Sequence, residues 1–294
     1  MTELSPRGAP SAWGNDNSDK FAEHSLLGFN FSTWNEEVML AALSAPAPRG
    51  EGLQLLVTAN VDHIVRLTQD AEFRDAYRSA WKAVVDGTPV MLYARLRGAP
   101  IPGRITGSDL FPKMLRMLVP GRHRLLFVCA DEDTAIKLNE RVRELGFTDH
   151  LSITAPMGFE KNEAFSTWLT SLARKQQTTH LFLGVGAPKS EKWMSQHRHE
   201  LPDCYGMAFG AALQFFAGTK RRAPWIVSKI GLEFLWRVAG EPRRLAKRYF
   251  ISSWPFLLAV ARDLSGKPIA GMQDPVIVQH TPDAPDTQEK KRAS

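Results

Sequence analysis

The chain has 294 residues, 44% of them hydrophobic and 23% charged, with a formal net charge of +6. This apolar content excludes wholesale disorder, and the length suits one large α/β domain, or one domain with an appendage. Only Cys129 and Cys204 are present, each inside an apolar run, which excludes a disulfide framework or a cysteine zinc site and fits buried thiols in a reducing compartment.

Residues 1–22 are rich in Pro, Ser, Asp and Gly and predict a mobile tail. The opening stretch shows no charged-then-apolar export pattern, so export is not expected. Beyond it, short β-rich runs alternate with helical patterns. Leu53–Asn60, Arg124–Ala130, Leu151–Ala155, His180–Gly184 and Tyr205–Phe209 read as strands, with helices notably over Thr134–Leu145 and Asn162–Arg174. Such alternation predicts an α/β fold over 23–224, a mainly parallel sheet with flanking helices and a Rossmann-like core. Residues 225–264 read as a C-terminal basic, amphipathic, helical, membrane-associating appendage, and 265–294 as a disordered tail. The late apolar run Ile251–Ala261 is about half of the ~20 residues a spanning helix needs and contains Pro255, so it could lie on a bilayer but not cross it.

In open sheets of this kind ligands bind beyond the carboxyl ends of the strands, which directs attention to the residues after each run. After the first comes Thr58-Ala59-Asn60-Val61-Asp62-His63, where Thr58 or Asn60 can cap the helix beginning near Val61. Capping and ligand binding can coexist. Ala83–Gly87 ends on Asp86-Gly87; Asp-Gly is ordinarily a turn, but on the rigid edge of a cleft Asp86 could take a proton from an incoming hydroxyl. In Arg104-Ile105-Thr106-Gly107-Ser108-Asp109, Ser108 or Asp109 would cap a helix over Leu110–Leu118, which leaves Arg104 without a task.

The segment Gly184–Trp193 follows an apolar run and leads into a helix. Close backbone approach at Gly184 and Gly186, with free amides at the helix start, suits a nucleotide diphosphate. It is not a dinucleotide fingerprint, because the third glycine of that pattern would fall at Lys189, nor is it a P-loop. Asp131-Glu132-Asp133 could pass for a metal clamp, yet acidic residues between a strand and a helix are favoured as a cap and by the helix dipole. The histidines form no H-x-x-x-H or H-E-x-x-H pair and there is no nucleophile elbow, so hydrolase and zinc-enzyme readings fall back.

The basicity is local. Residues 218–248 hold nine Lys/Arg against Glu233 and Glu241, a surplus of seven that exceeds the charge of the whole chain. Guanidinium clusters interleaved with apolar residues suit phosphate or diphosphate at a membrane surface. A basic nucleic-acid-binding protein and a nucleotide-binding oxidoreductase are the alternatives; the first lacks a recognised module and the second lacks the glycine fingerprint.

Six segments in order, Thr58–Asn60, Val84–Gly87, Arg104–Leu110, Gly184–Trp193, Phe215–Pro224 and Gly231–Tyr249, resemble the WecG/TagA/CpsF family of bacterial glycosyltransferases, glycosyltransferase family 26. The resemblance runs from about Leu26 to Tyr249. It implies an inverting enzyme that moves a hexose-type sugar from a UDP-sugar to a polyprenyl-diphosphate-linked saccharide in cell-surface or exopolysaccharide synthesis. Such an enzyme is cytoplasmic, peripheral on the inner face of the membrane, and requires no cofactor or metal. It implies Asp86 as general base, with Thr58, Asn60, Arg104, Thr106 and Ser190 at the sugar and acceptor pocket. Gly184, Gly186, Ala187, Pro188, Lys189 and Glu191 would bind UDP, and Arg237, Arg244 and Lys247 the lipid diphosphate. A homo-oligomer is compatible with this, and nucleic acid is not an expected partner. Two positions depart from the family: Ser190 stands where Gln is usual, and Leu213-Gln214 where Phe-Asp is usual. These departures leave the donor open among N-acetylmannosamine, its uronic acid and glucose.

Overall fold

The computed structural model describes residues 23–222, 224, 254–267 and 269. Six strands form one parallel sheet: β3 (Leu53–Ala59), β4 (Lys82–Val85), β5 (Leu125–Cys129), β6 (His150–Thr154), β7 (His180–Leu183) and β8 (Cys204–Ala208), in the order β4-β3-β8-β7-β5-β6. A separate hairpin, β1 (Glu23–Leu26) with β2 (Phe29–Ser32), covers the β4 edge; Lys82 reaches Glu23 there at 3.1 Å. Every residue of β3, β4, β5, β7 and β8 is buried, as expected of parallel strands covered on both faces. The strand at the other edge, β6, is only partly so. Gly206 of β8 lets the strands close up, since a Cβ there would lie 2.6 Å from a methyl of Leu53.

The helices are α1 (Glu36–Ser44), α2 (Val61–Leu67), α3 (Ala71–Arg78), α4 (Thr88–Leu96), α5 (Gly107–Met117), α6 (Glu132–Glu144), α7 (Glu163–Lys175), α8 (Lys189–Gln196), α9 (Ala211–Ala217) and α10 (Trp254–Leu264). Buried side chains of α2, α3, α4, α7, α8 and α10 form one core on one face of the sheet, and those of α1, α5, α6 and α9 a second core on the other. Handedness accounts for most of this. The steps β3 to β4, β6 to β7 and β7 to β8 run one way along the sheet and carry α2, α3, α7 and α8; the opposite steps, β4 to β5 and β5 to β6, carry α5 and α6.

The mainly parallel sheet read from the sequence is present, and the strand boundaries agree to within one residue at either end. Helix α10 begins inside the late apolar run and continues three residues past its end. It turns Phe256 and Ala259 into the first core and is tied to α4 by Asp263, which accepts hydrogen bonds from Tyr93 and from Arg97, the latter at 2.7 Å. Its other side leaves Trp254, Leu257 and Leu258 exposed. No helix among the described residues is long and apolar enough to cross a membrane.

Candidate active site

The helix after β3 leaves to one face of the sheet, the helix after β8 to the other, and the helix after β7 to the first again. Such reversals between neighbouring strands are where sheets of this kind bind ligands, at the carboxyl ends; the exits concerned here carry Asn60, Gly210 and Gly184. Asp86 stands beside them, on the exit of β4. Its amide and that of Gly87 both donate to the carbonyl of Ala59, at 2.8 and 3.2 Å, so the β4 exit folds over the β3 exit. Gly87 permits this closeness, since a Cβ there would lie 3.1 Å from Asn60 Cα. The Asp86 side chain is partly exposed, at the rim and outside both cores.

The other rim segments are fixed by equally local contacts. Ile105 N donates to Val85 O at 2.8 Å, which lays Arg104–Thr106 alongside Asp86. Arg104 Nη1 donates to Thr88 Oγ1 at 2.9 Å, at the first residue of α4. The cap of α5 is Thr106, and not Ser108 or Asp109: its Oγ1 accepts from Asp109 N at 3.1 Å and donates to Asp109 Oδ2 at 2.8 Å. Gly107 then passes so close to Phe209 that a Cβ would lie 2.8 Å from the ring. Burial pushes the Asp109 carboxyl up, but hydrogen bonds from Arg222 and Thr106 outweigh it and hold the group below its usual range. Arg222 Nη2 sits 2.7 Å from Asp109, so the basic segment leaves the core next to Thr106.

Asn60 caps α2, accepting from His63 N at 3.2 Å, whereas Thr58 is buried one layer below the rim. Asp131 caps α6 by accepting from Thr134 N at 2.8 Å, the role its position suggests. It also accepts from Gln214 at 3.1 Å, so Gln214 is committed to the β5 exit and Leu213 lies in the core beneath Gly184. In the Gly184–Lys192 loop, Ser190 is fully buried and donates to Gly186 O at 3.3 Å; Glu191 is 1% exposed. Their side chains face the interior, while Val185–Lys189, with Gly186 at φ 91°, form the outer part of the loop and Gly184 lies buried beneath it. Lys189 pairs with Glu160 at 3.2 Å. Arg237, Arg244 and Lys247 lie outside the described residues.

Behind the rim is a group that the sequence reading passed over. Glu191 Oε1 is 3.8 Å from His63 Nε2, and His63 Nδ1 is 2.6 Å from the Tyr77 hydroxyl, all three residues being buried. Burial pushes Glu191 up to about 7, against the lowering effects of its own backbone amide and of Arg66. The Tyr77 hydroxyl is raised well above its usual range by burial and then by the charges of Glu191, Asp86 and Asp62. The available signal was a histidine among the inward-facing Ile64, Val65 and Leu67 of α2, easily absorbed into a capping motif.

The sequence model of the Glycosyl transferase WecG/TagA/CpsF family matches residues 24–268. The chain belongs to that family. Among relatives, an N-acetylglucosaminyldiphosphoundecaprenol N-acetyl-beta-D-mannosaminyltransferase of Staphylococcus aureus strain MW2 is 24% identical over 212 residues, covering 70% of this chain and 80% of its own. Its counterpart in strain MRSA252 is 23% identical over 214 residues at the same coverages. The protein is thus a glycosyltransferase of the WecG/TagA/CpsF family, with its helix reversals at the exits of β3, β8 and β7 and a carboxylate at the adjoining exit of β4.

Proposed function

We propose that this family member transfers a hexose-type sugar from a UDP-sugar to a saccharide carried on a polyprenyl diphosphate, with inversion, in cell-surface or exopolysaccharide synthesis. The names of the relatives put an N-acetylmannosaminyl donor first among those to test. The observation that carries the mechanism is the place of Asp86: a partly exposed carboxylate on the end of a buried strand, at the strand exits where such sheets bind ligands.

An acceptor hydroxyl attacks the anomeric carbon on the face opposite UDP. Its proton passes to Asp86 as the new C–O bond forms, and the bond to UDP breaks with both electrons on the diphosphate. One displacement gives one inversion. The leaving diphosphate needs fixed donors or cations, supplied by Arg104 and the backbone amides of Val185, Gly186, Ala187 and Lys189; the Gly184 amide is spent on Val128 O and Pro188 has none. The reaction so written asks for no cofactor beyond the donor. Lipid diphosphate is assigned to Arg237, Arg244 and Lys247, close in sequence to Arg222, which is anchored beside Thr106. The exposed Trp254, Leu257 and Leu258 of α10 add apolar contact with the inner face of the membrane.

Asp86→Asn should lower kcat by about 10²–10⁴-fold with unchanged melting behaviour. Near wild-type turnover of the folded variant removes Asp86 from the role. Replacing Leu257 and Leu258 together by Ser should weaken sedimentation with anionic vesicles while leaving UDP binding intact, and unchanged sedimentation rejects α10 as the contact.

A further inference from the structure

Resting on that assignment of Asp86, we infer that Glu191, His63 and Tyr77 are positioning residues that reverse one hydrogen bond, and so set the strength of the catalytic base according to whether they hold one proton or two. The three side chains come from α8, α2 and α3 and meet in the first core directly behind the rim. Two further observations single them out. Glu191 Oε2 is buried with no hydrogen-bond partner among the described residues. A buried carboxylate oxygen left in this way is costly, and the cost persists only where it is used or offset. The charges of Glu191 and Asp86 both raise the Tyr77 hydroxyl, so the buried pair and the rim carboxylate act on one group.

The bonding follows from counting protons. With one proton on the pair, Glu191 is ionised and His63 carries its hydrogen on Nε2, facing Glu191. Nδ1 is then a lone pair, and the Tyr77 hydroxyl donates to it across 2.6 Å. With a second proton, taken from solvent, Glu191 and Nε2 share one across the present 3.8 Å gap, closed to hydrogen-bond length. Whichever of the two holds the shared proton, Nδ1 carries the other. Tyr77 must now accept from Nδ1, and its own hydrogen is released from His63 to orient in the field of the Asp86 carboxylate. A donor aimed at a carboxylate stabilises the anion and weakens it as a base; a lone pair there does the reverse. Losing the second proton therefore makes Asp86 the stronger base. Burial places the Glu191 step near 7, within the range where this matters.

Other charged groups face this cluster but do not replace it. On α2, Asp62 is held by Arg66 at 2.9 Å. On the neighbouring ends of α3 and α8, Lys192 is shared between Asp70 and Glu72. His63 is further enclosed by the rings of Phe73 and Tyr77, which fix its plane.

The test follows His63 imidazole ¹⁵N shifts across about pH 5–9, and in parallel the kcat/KM profile with UDP-sugar and a lipid-diphosphate acceptor. In the wild type, His63 should report a step near neutrality, and kcat/KM should rise severalfold through the same step. Glu191→Gln, which removes the carboxylate that takes up the second proton, should abolish both. Tyr77→Phe should keep the step at His63 but flatten the kcat/KM profile, because the link to the rim is cut. Asp86→Asn should shift the His63 step to lower pH through loss of a nearby negative charge. A His63 signal with no step in this range, or one indifferent to Glu191→Gln, overturns the inference, as does a Tyr77→Phe enzyme that keeps the rise in kcat/KM. The shift measurements need no turnover, so they stand even if Asp86→Asn proves fully active; that result would overturn the general-base reading instead.

Discussion

The seat of the candidate diphosphate loop can be probed at Gly184. A Cβ there would lie 2.8 Å from Leu213 Cδ1, 3.4 Å from Leu213 Cγ and 3.5 Å from Gly210 O. Leu213 is fully buried in the second core, so its methyl cannot swing away freely. One methyl forced into a closed contact costs about 1–3 kcal/mol. For a core of this size that corresponds to a melting temperature lower by roughly 2–4 °C per kcal/mol. Leu213→Ala alone leaves a cavity and costs about 2–5 kcal/mol. In the double variant the new methyl occupies space vacated by the leucine, so the two losses should fall short of additivity by about 1 kcal/mol or more. Thermal melts of the four proteins give the coupling, and isothermal titration with UDP shows whether the loop keeps its shape. Strict additivity would refute the claim that Gly184 is required because the loop rests on α9.

Glu191→Gln has a consequence for stability whose sign is fixed by the direction of the shift. A carboxyl raised from 4.5 to about 7 holds its proton longer in the folded chain than in the unfolded one. Its contribution is complete below the unfolded value and is lost as pH rises through the folded one. Chemical denaturation should show wild type losing up to about 3 kcal/mol relative to Glu191→Gln between about pH 4.5 and 7, and parallel pH curves would contradict the buried placement. His180 runs the other way. Burial lowers it to about 4, so its contribution is lost as pH falls below its ordinary range. Replacing Phe256 by Ala removes the largest buried side chain of α10 and should cost about 3–5 kcal/mol if the helix and core unfold together. Faster tryptic cleavage after Arg262 should accompany it, and a variant as resistant as wild type would mean that α10 docks without Phe256.

How far the sequence carried depends on how local each cause was. The strands were legible because parallel strands buried on both faces must be continuous apolar runs, as in Leu-Leu-Phe-Val-Cys of β5. That Asp86 and the Gly184 loop stand at strand exits was legible because a strand exit is a local event. The layer each residue occupies was not. Ser190 and Glu191 sit in the first turn of α8, where a ligand-facing and an inward-facing position differ by about 100° of rotation. Only packing against α3 and Trp193 decides that these two turn inward. Gln214 likewise reads as a departure at a sugar contact until Asp131 is found 3.1 Å away. Burial raises Asp131 while bonds from Thr134 and Gln214 lower it more, keeping it an anion at the β5 exit. An acid at 214 would face that anion, so the neutral amide is explained by its neighbour before any donor sugar is invoked. The same argument bears on His63. In the sequence it belongs to a capping motif, but three elements converge on it, and a titratable group so enclosed acts on the rim through hydrogen-bond direction and charge, with no need to touch the substrate.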